Sequence, residues 1–174
     1  NLYMTSIDKE LKTLQQQIED NFQIILKEIT LYIREENMDW DGKEISTVSN
    51  ILEEADELVE RDRENHMLRD QHSFYNYFQM RKKQFDILKQ MLPLVTRLPE
   101  KDNVSEEIAV YFEKLCDAVH PGNTAIIYLY ELRELKESFK KKELPKTEEE
   151  CETRASLYQL LHELEEYLKL KYEY

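Results

Sequence analysis

Residues 6–36 read SIDKELKTLQQQIEDNFQIILKEITLYIREE, and this stretch decides the fold class of the chain. Its apolar residues recur at intervals of three or four, and they are Ile7, Leu11, Leu14, Ile18, Phe22, Ile25, Ile29 and Tyr32. Such intervals place them on one narrow face of a helix, as in a coiled coil. The pattern predicts a first helix that begins near Ser6 and runs for about 28 residues, or about 42 Å. It ends before Asn37, where Asn, Asp and Gly supply turn residues.

Five more amphipathic segments follow. Their apolar stripes are Val48, Leu52, Ala55 and Val59; Phe74, Phe78, Phe85, Leu88, Leu92 and Val95; Ile108, Phe112, Leu115 and Val119; Tyr128, Leu132, Leu135 and Phe139; and Leu157, Leu161, Leu164 and Leu168. A kink or an earlier stop is predicted at Pro93, and Thr147 with Glu150 forms a capping box before the last segment. We place a break near Arg69–His72, although one long helix with a phase shift is an alternative because neither Gly nor Pro enforces the break.

The composition supports an all-helical chain. Among 174 residues there are only 2 Gly and 4 Pro, too few for the frequent turns of a sheet-rich fold. Short connections make consecutive helices antiparallel neighbours. We therefore expect an all-α fold, an antiparallel helical bundle of five to six helices with a long first helix, in a single domain over residues 1–174.

The charge excludes one class of partner. The formal net charge is -13, from 24 basic and 37 acidic residues, and such a field opposes nucleic acid and anionic lipid. The lysines near residues 136–146 are better explained as a solvated helix end. No apolar run approaches the about 20 residues of a membrane span, and no signal peptide is evident. Cys116 and Cys151 suit a reducing compartment, and residues 1–4 look like an arbitrary cut or a scar, which leaves room for natural sequence upstream.

Four ionisable residues fall where the stripes call for core residues. They are Asp62 and His66 in the second segment, Arg81 in the third and Arg154 in the last. Because an unpaired buried charge is costly, we predict that Asp62 contacts Arg81, that Arg154 joins the same cluster, and that Asn65 and Tyr77 flank it. One interpretation is a structural network that fixes helix register. The other is a ligand pocket in which Arg81 or Arg154 receives an anionic group and Tyr75, Tyr77 or Phe78 stacks on a ring.

Catalytic chemistry finds little support in the sequence. The pair Asp117 and His120 is a single, distant analogue of the repeated Glu-x-x-His of di-iron bundles. Two glycines, Gly42 and Gly122, cannot form a phosphate-binding loop, and Cys151 has no His or Asp close to it in sequence. We expect no enzyme activity, no catalytic residue, no metal site and no cofactor.

Four blocks carry a resemblance to a known family. Residues 63–68 read RENHML, residues 75–84 read YNYFQMRKKQ, residues 144–147 read LPKT and residues 152–157 read ETRASL. Together they resemble the C-terminal domain of the putative aromatic acid exporter family of Gram-positive bacteria. By this resemblance the positions that match the family motifs are Asn65, His66, Tyr75, Tyr77, Phe78, Arg81, Gln84, Glu152 and Arg154.

The resemblance implies a context for the chain. In the family a membrane region of several spans precedes this helical domain, which is expected at the cytoplasmic face of the membrane. The implied function is an accessory or regulatory domain of an exporter, in assembly, gating or ligand sensing, with the membrane-embedded part of the same polypeptide as its partner. An aromatic carboxylate ligand and a homo-oligomer are further partner hypotheses, and packing inside the bundle explains the first helix as well as self-association does. The alternative is a free-standing helical adaptor that binds a partner helix.

Overall fold

Six α-helices make up the computed structural model, which describes residues 6–36, 39–65, 70–98, 104–120, 122 and 124–174, with backbone alone at residues 62–65 and 70–73. They are α1 (Ser6–Ile33), α2 (Lys43–Asn65), α3 (Asp70–Thr96), α4 (Ser105–Asp117), α5 (Ala125–Lys140) and α6 (Glu148–Glu173). These ranges contain no strand. The predicted all-α bundle of five to six helices with a long first helix is confirmed, and the described residues form six.

Helix α1 is the central element, because it packs against α2, α3 and α4. Its predicted narrow seam is buried, from Leu11 to Ile29. A second stripe beside that seam is buried as well, and its members are Glu19, Leu26, Thr30 and Ile33. The apolar face is therefore wider than a coiled-coil seam, because three neighbours surround the helix rather than one.

Side-chain contacts fix the directions of the helices around α1. The Gln23 amide donates to the Cys116 carbonyl at 2.9 Å, and Arg34 pairs with Glu106 at 2.8 Å, so α4 runs antiparallel to α1. Helix α3 packs against α6 as well as against α1 and α2. Helix α5 is an outer helix that packs mainly against α6.

The chain reverses direction between α2 and α3. Lys82 Nζ lies 3.5 Å from Asp56 Oδ2. On one continuous helix these residues would stand about 39 Å apart, so the alternative of a single long helix is wrong. A break is therefore present, but its predicted place is wrong in part, because residues 70–72 already belong to α3. Residues 66–69 lie outside the described part of the chain.

Two helix boundaries test the local predictions. Thr147 is the N-cap of α6, and its hydroxyl accepts from the Glu150 amide at 3.1 Å, which is one half of the predicted capping box. The Glu150 carboxylate accepts from the Lys146 amide at 2.6 Å, one residue before the N-cap. Helix α3 continues past Pro93 to Thr96, so the earlier stop does not occur. Pro93 lies in the last turn with its ring exposed, where the bond lost by its missing N–H interrupts little of the helix. None of the helices in the described ranges combines the length and the apolar character of a membrane-spanning segment.

The central position of α1 can be tested with two adjacent isoleucines. Ile25 is 0% exposed and Ile24 is 39% exposed. We expect Ile25→Ala to lower the free energy of unfolding by about 2–5 kcal/mol, because it opens a cavity in the core. Ile24→Ala is the matched control, with an expected loss below about 1 kcal/mol. Equal losses in urea titrations would contradict the assigned faces.

Candidate functional site: a buried polar cluster

Arg81 of α3 is 0% exposed, an unusual position for a side chain that is always charged. Its Nε donates to the Tyr77 hydroxyl at 2.9 Å, and its Nη1 donates to the Gln84 side-chain oxygen at 2.9 Å. The two partners lie four residues before and three residues after Arg81, so all three side chains share one face of the helix. That face is directed into the bundle.

Helix α1 supplies the carboxylate of this cluster. The Tyr77 hydroxyl donates to Glu19 Oε2 at 3.3 Å, and Glu19 is 4% exposed. The pKa of Glu19 is raised, mainly because the carboxylate is buried. The charge of Arg81 and the hydrogen bond from Tyr77 oppose this rise in part. The predicted carboxylate partner was Asp62 of α2, so sequence reasoning missed Glu19. The available signal was its place three residues before Phe22 and seven before Leu26, on the second stripe of α1.

Helix α6 closes the cluster from the other side. The Gln84 amide donates to the Tyr167 carbonyl at 3.0 Å. One turn later along α6, Lys171 Nζ donates to the carbonyl of Ala118, at the C-terminus of α4, at 2.8 Å. Lys171 is 6% exposed, and its burial, reinforced by the charge of Arg81 and opposed by that of Glu19, lowers its pKa to about 8.

Aromatic rings complete the surroundings of the Arg81 guanidinium. Its central carbon lies 5.3 Å from the Phe22 ring centroid and 5.1 Å from that of Tyr77, distances typical of cation–π contacts. Burial is the main cause that raises the pKa of Tyr77, so its hydroxyl keeps the proton that it donates to Glu19. Among the described residues, Nη2 of Arg81 has no hydrogen-bond partner.

The structure brings together only part of the predicted set. Tyr77, Arg81 and Gln84 meet in the cluster, as their hydrogen bonds show. Tyr75 is 47% exposed, and Glu152 is exposed on the first turns of α6. Phe78 is buried and packs edge-on against the Tyr77 ring at 5.2 Å between centroids.

The predicted place of Arg154 is wrong. Its guanidinium carbon lies 5.1 Å from the ring centroid of Phe139 on α5. Along α6 it precedes Tyr167, the contact of the cluster, by about 20 Å of helix. Lys171 occupies the place that was assigned to Arg154. It lies three residues after Leu168, so extending the α6 stripe toward its C-terminus would have found it.

Three predicted residues cannot be placed in the cluster. The side chains of Asp62 and Asn65 lie outside the described part of the chain, and so does the whole of His66. Asp62 belongs to α2 and lies six residues after Asp56, which pairs with Lys82 of α3. The contact between Asp62 and Arg81 stays a prediction.

The chemistry of the cluster is structural in the first place. It joins α1, α3, α6 and the end of α4 through buried hydrogen bonds, an arrangement that can fix helix register.

The described residues contain no group of three or more His, Cys, Asp or Glu that could hold a metal ion. Both cysteines are free, and burial raises the pKa of Cys116 to about 11, so it is a protonated thiol at neutral pH. Binding of an aromatic carboxylate ligand and formation of a homo-oligomer stay predictions.

Comparisons with known proteins agree with this architecture. A sequence model of the family named putative aromatic acid exporter C-terminal domain matches residues 8–172. The uncharacterized protein YqjA of Bacillus subtilis (strain 168) is 43% identical over 171 residues, which cover 98% of this chain and 53% of YqjA. The chain therefore spans about half the length of this curated relative.

A solved structure shows the same fold. The crystal structure of a putative membrane protein from Clostridium difficile 630 superposes with a TM-score of 0.82 at 21% identity. The superposition covers 94% of this chain and 97% of that one. At this identity the likeness concerns the fold alone, and it supports the helical architecture over nearly all of the chain.

The coupling between Glu19 and Arg81 can be measured with a double-mutant cycle. We expect Arg81→Met to cost about 3–5 kcal/mol, because it leaves a buried carboxylate without its main cation. Combined with Glu19→Gln it should cost less than the sum of the single losses, by about 1–3 kcal/mol. The control cycle is the exposed pair Lys82→Met and Asp56→Asn, with coupling below about 1 kcal/mol. Additive losses at Glu19 and Arg81 in urea titrations would show that the two side chains act independently.

The buried Lys171 should make stability depend on pH. Folded Lys171 has a pKa of about 8, against 10.5 for an unperturbed lysine. Between these values the unfolded state binds more protons, so the free energy of unfolding rises with pH. From pH 8 to 10 we expect the Tm of the wild type to rise relative to that of Lys171→Met. The difference in Tm between the wild type and Lys169→Met should stay constant over this pH range, because the pKa of exposed Lys169 is raised. A constant difference in Tm between the wild type and Lys171→Met would refute this account.

Proposed function

Because this chain belongs to the putative aromatic acid exporter C-terminal domain family, we propose that it is the cytoplasmic regulatory domain of a membrane exporter. In this proposal the domain catalyses no reaction. It transmits conformational changes to and from the membrane-embedded part of the same polypeptide through α1, and so acts in gating and assembly.

The observation that carries the proposal is the packing of α1. This helix is buried on one side from Leu11 to Ile33, and it contacts α2, α3 and α4. A close-packed interior does not deform continuously, so a shift of one central helix must be shared by its neighbours. An element of this kind is suited to carry movement between the bundle and whatever is attached to the start of α1.

The polar cluster supports the same conclusion. Glu19 of α1 is tied through Tyr77 and Arg81 to α3, and from Gln84 to α6. Sliding α1 by one turn, about 5.4 Å, would separate Glu19 from these partners. The cluster therefore favours a small number of discrete positions of α1 over a continuum, as a two-state switch requires.

Two further observations support the location. The match covers 53% of YqjA, which leaves about half of that relative's length for other parts of the protein. Both cysteines are free thiols, one half-buried and one exposed, as is usual in a reducing compartment. A cytoplasmic domain joined to a membrane part accounts for both.

The transmission through α1 can be tested by inserting a flexible linker in the full-length protein. We expect a Gly/Ser linker of about ten residues immediately before Ser6 to leave the bundle folded but to uncouple it, because such linkers behave as random coils. Efflux of aromatic carboxylates from cells, or the assembled fraction of the protein, should fall. The same linker beside Leu144, which is 83% exposed between α5 and α6, is the matched control. Unchanged efflux and assembly with the linker before Ser6 would rule out transmission through this helix.

A further inference from the structure

Two carboxylates act on each other where α1 meets the start of α2. Glu28 lies half-buried on α1, and Glu44 lies in the first turn of α2, where it is 6% exposed. Burial, followed by the charge of Glu44, raises the pKa of Glu28 above its ordinary value. The contact between the two helices therefore contains a repulsion between like charges that has to be relieved.

Glu44 is held in place by its own helix. Trp40 precedes it by four residues, and the indole nitrogen donates to Glu44 Oε2 at 2.8 Å. The chain enters α2 through Gly42, whose φ of 72° belongs to the left-handed region that favours glycine. A negative charge is favourable in the first turn of a helix. The Glu44 carboxylate is therefore a fixed hydrogen-bond acceptor beside α1.

Glu28 has an oxygen without a donor. Among the described residues, its Oε2 is buried and has no hydrogen-bond partner. An acceptor that is shielded from water and has no donor costs free energy. A carboxyl group that carries a proton is a donor as well as an acceptor, and Glu44 is the acceptor that α2 supplies. Two carboxylates in one site can hold a single proton for this reason.

The other charges around α1 are engaged elsewhere. On the side of α4, Arg34 pairs with glutamates of that helix, and on the side of α3, Arg81 belongs to the polar cluster. Lys27, on the same helix as Glu28, is exposed and lowers the pKa of Glu28 in part. Within the described residues, the charges that act on Glu28 are thus Glu44 and Lys27.

We propose that Glu28 and Glu44 share one proton, and that loss of this proton to solvent loosens the contact between α1 and the first turn of α2. The proton leaves through the exposed part of Glu28. The ionised Glu28 then faces Glu44, and the repulsion is no longer relieved. The contact is tight at lower pH and looser at higher pH. Its consequence for transmission rests on the proposed function, because α1 is the helix that would be released.

Replacement of Glu28 by glutamine tests the shared proton, because the amide keeps the shape of a protonated carboxyl group and can donate to Glu44. The pKa of folded Glu28 is raised from 4.5, so the free energy of unfolding of the wild type falls as the pH rises through this interval. We expect the Tm of Glu28→Gln minus that of the wild type to grow by about 2–4 °C between about pH 4 and about pH 7.5. Glu10→Gln, at an exposed position of the same helix, is the matched control and should show a constant difference.

Trp40 gives a second, local measurement. It is the one tryptophan among 174 residues, and its indole is bonded to Glu44, so its emission responds to the charge at this site. In the wild type we expect the emission to change with a midpoint above pH 4.5, because the pKa of Glu28 is raised from that value. Glu28→Gln should remove this transition, and Glu10→Gln should keep it.

Amide hydrogen exchange measures the loosening itself. At about pH 7.5, exchange in residues 43–48 should be about fivefold faster in the wild type than in Glu28→Gln, because the first turn of α2 opens more often. At about pH 4 the two rates should converge. Both proteins are compared at the same pH, so the intrinsic pH dependence of exchange cancels.

The role of Glu44 is tested by repeating the glutamine replacement in a Glu44→Gln background. There the gain in Tm from Glu28→Gln at about pH 7.5 should shrink, because the opposing charge is gone. An unchanged gain would show that burial alone acts on Glu28 and would overturn the shared proton. So would a Tm difference that does not depend on pH, an emission transition that survives in Glu28→Gln, or equal exchange rates at the higher pH.

The linker insertion before Ser6 tests the proposed function separately. A proton-dependent contact together with no effect of that linker would keep the shared proton and remove transmission through α1. The reverse result would keep transmission and remove the shared proton.

Discussion

A guanidinium group shut off from water stands where α1, α3 and α6 meet. Arg81 is 0% exposed, so its charge has to be balanced inside the protein. The balance comes from Glu19 on one helix, from Tyr77 and Gln84 on its own helix, and through Gln84 from the backbone of α6. Because these contributions come from different helices, none of the helices can slide without leaving part of the charge uncompensated. Such a constraint can fix the register of the bundle.

The same constraint explains why α1 is suited to a role in transmission. A purely apolar interface tolerates small sliding movements, since hydrophobic contacts have no direction. Hydrogen bonds and buried charges require particular distances and angles. With Glu19 in the cluster, and with a buried stripe that extends to Ile33, α1 shares both kinds of contact with its neighbours.

Sequence reasoning predicted the helices well and the cluster in part. Arg81 was found because it interrupts an apolar stripe, and its burial follows from its neighbours Phe78 and Phe85. The same logic placed Arg154 in the cluster, where the structure has Lys171. Both lie on or near the inward stripe of α6, at opposite ends of the helix. Their spacing does not show which end of α6 lies beside Arg81. That depends on the direction of α6 and its displacement along the bundle axis, which the connections between helices and the packing decide.

The sequence by itself determined the all-α class with five to six helices, their approximate limits, the inward face of most of them and the likeness to an exporter-associated family. These are local properties. A helix forms its hydrogen bonds within a few residues, and the intervals of three and four residues between its apolar side chains identify its inward face. Only the tertiary structure decided that Glu19 meets Tyr77 and that Lys171 reaches the end of α4. Those pairings depend on the relative height and rotation of helices far apart in the chain, which packing decides and periodicity does not encode.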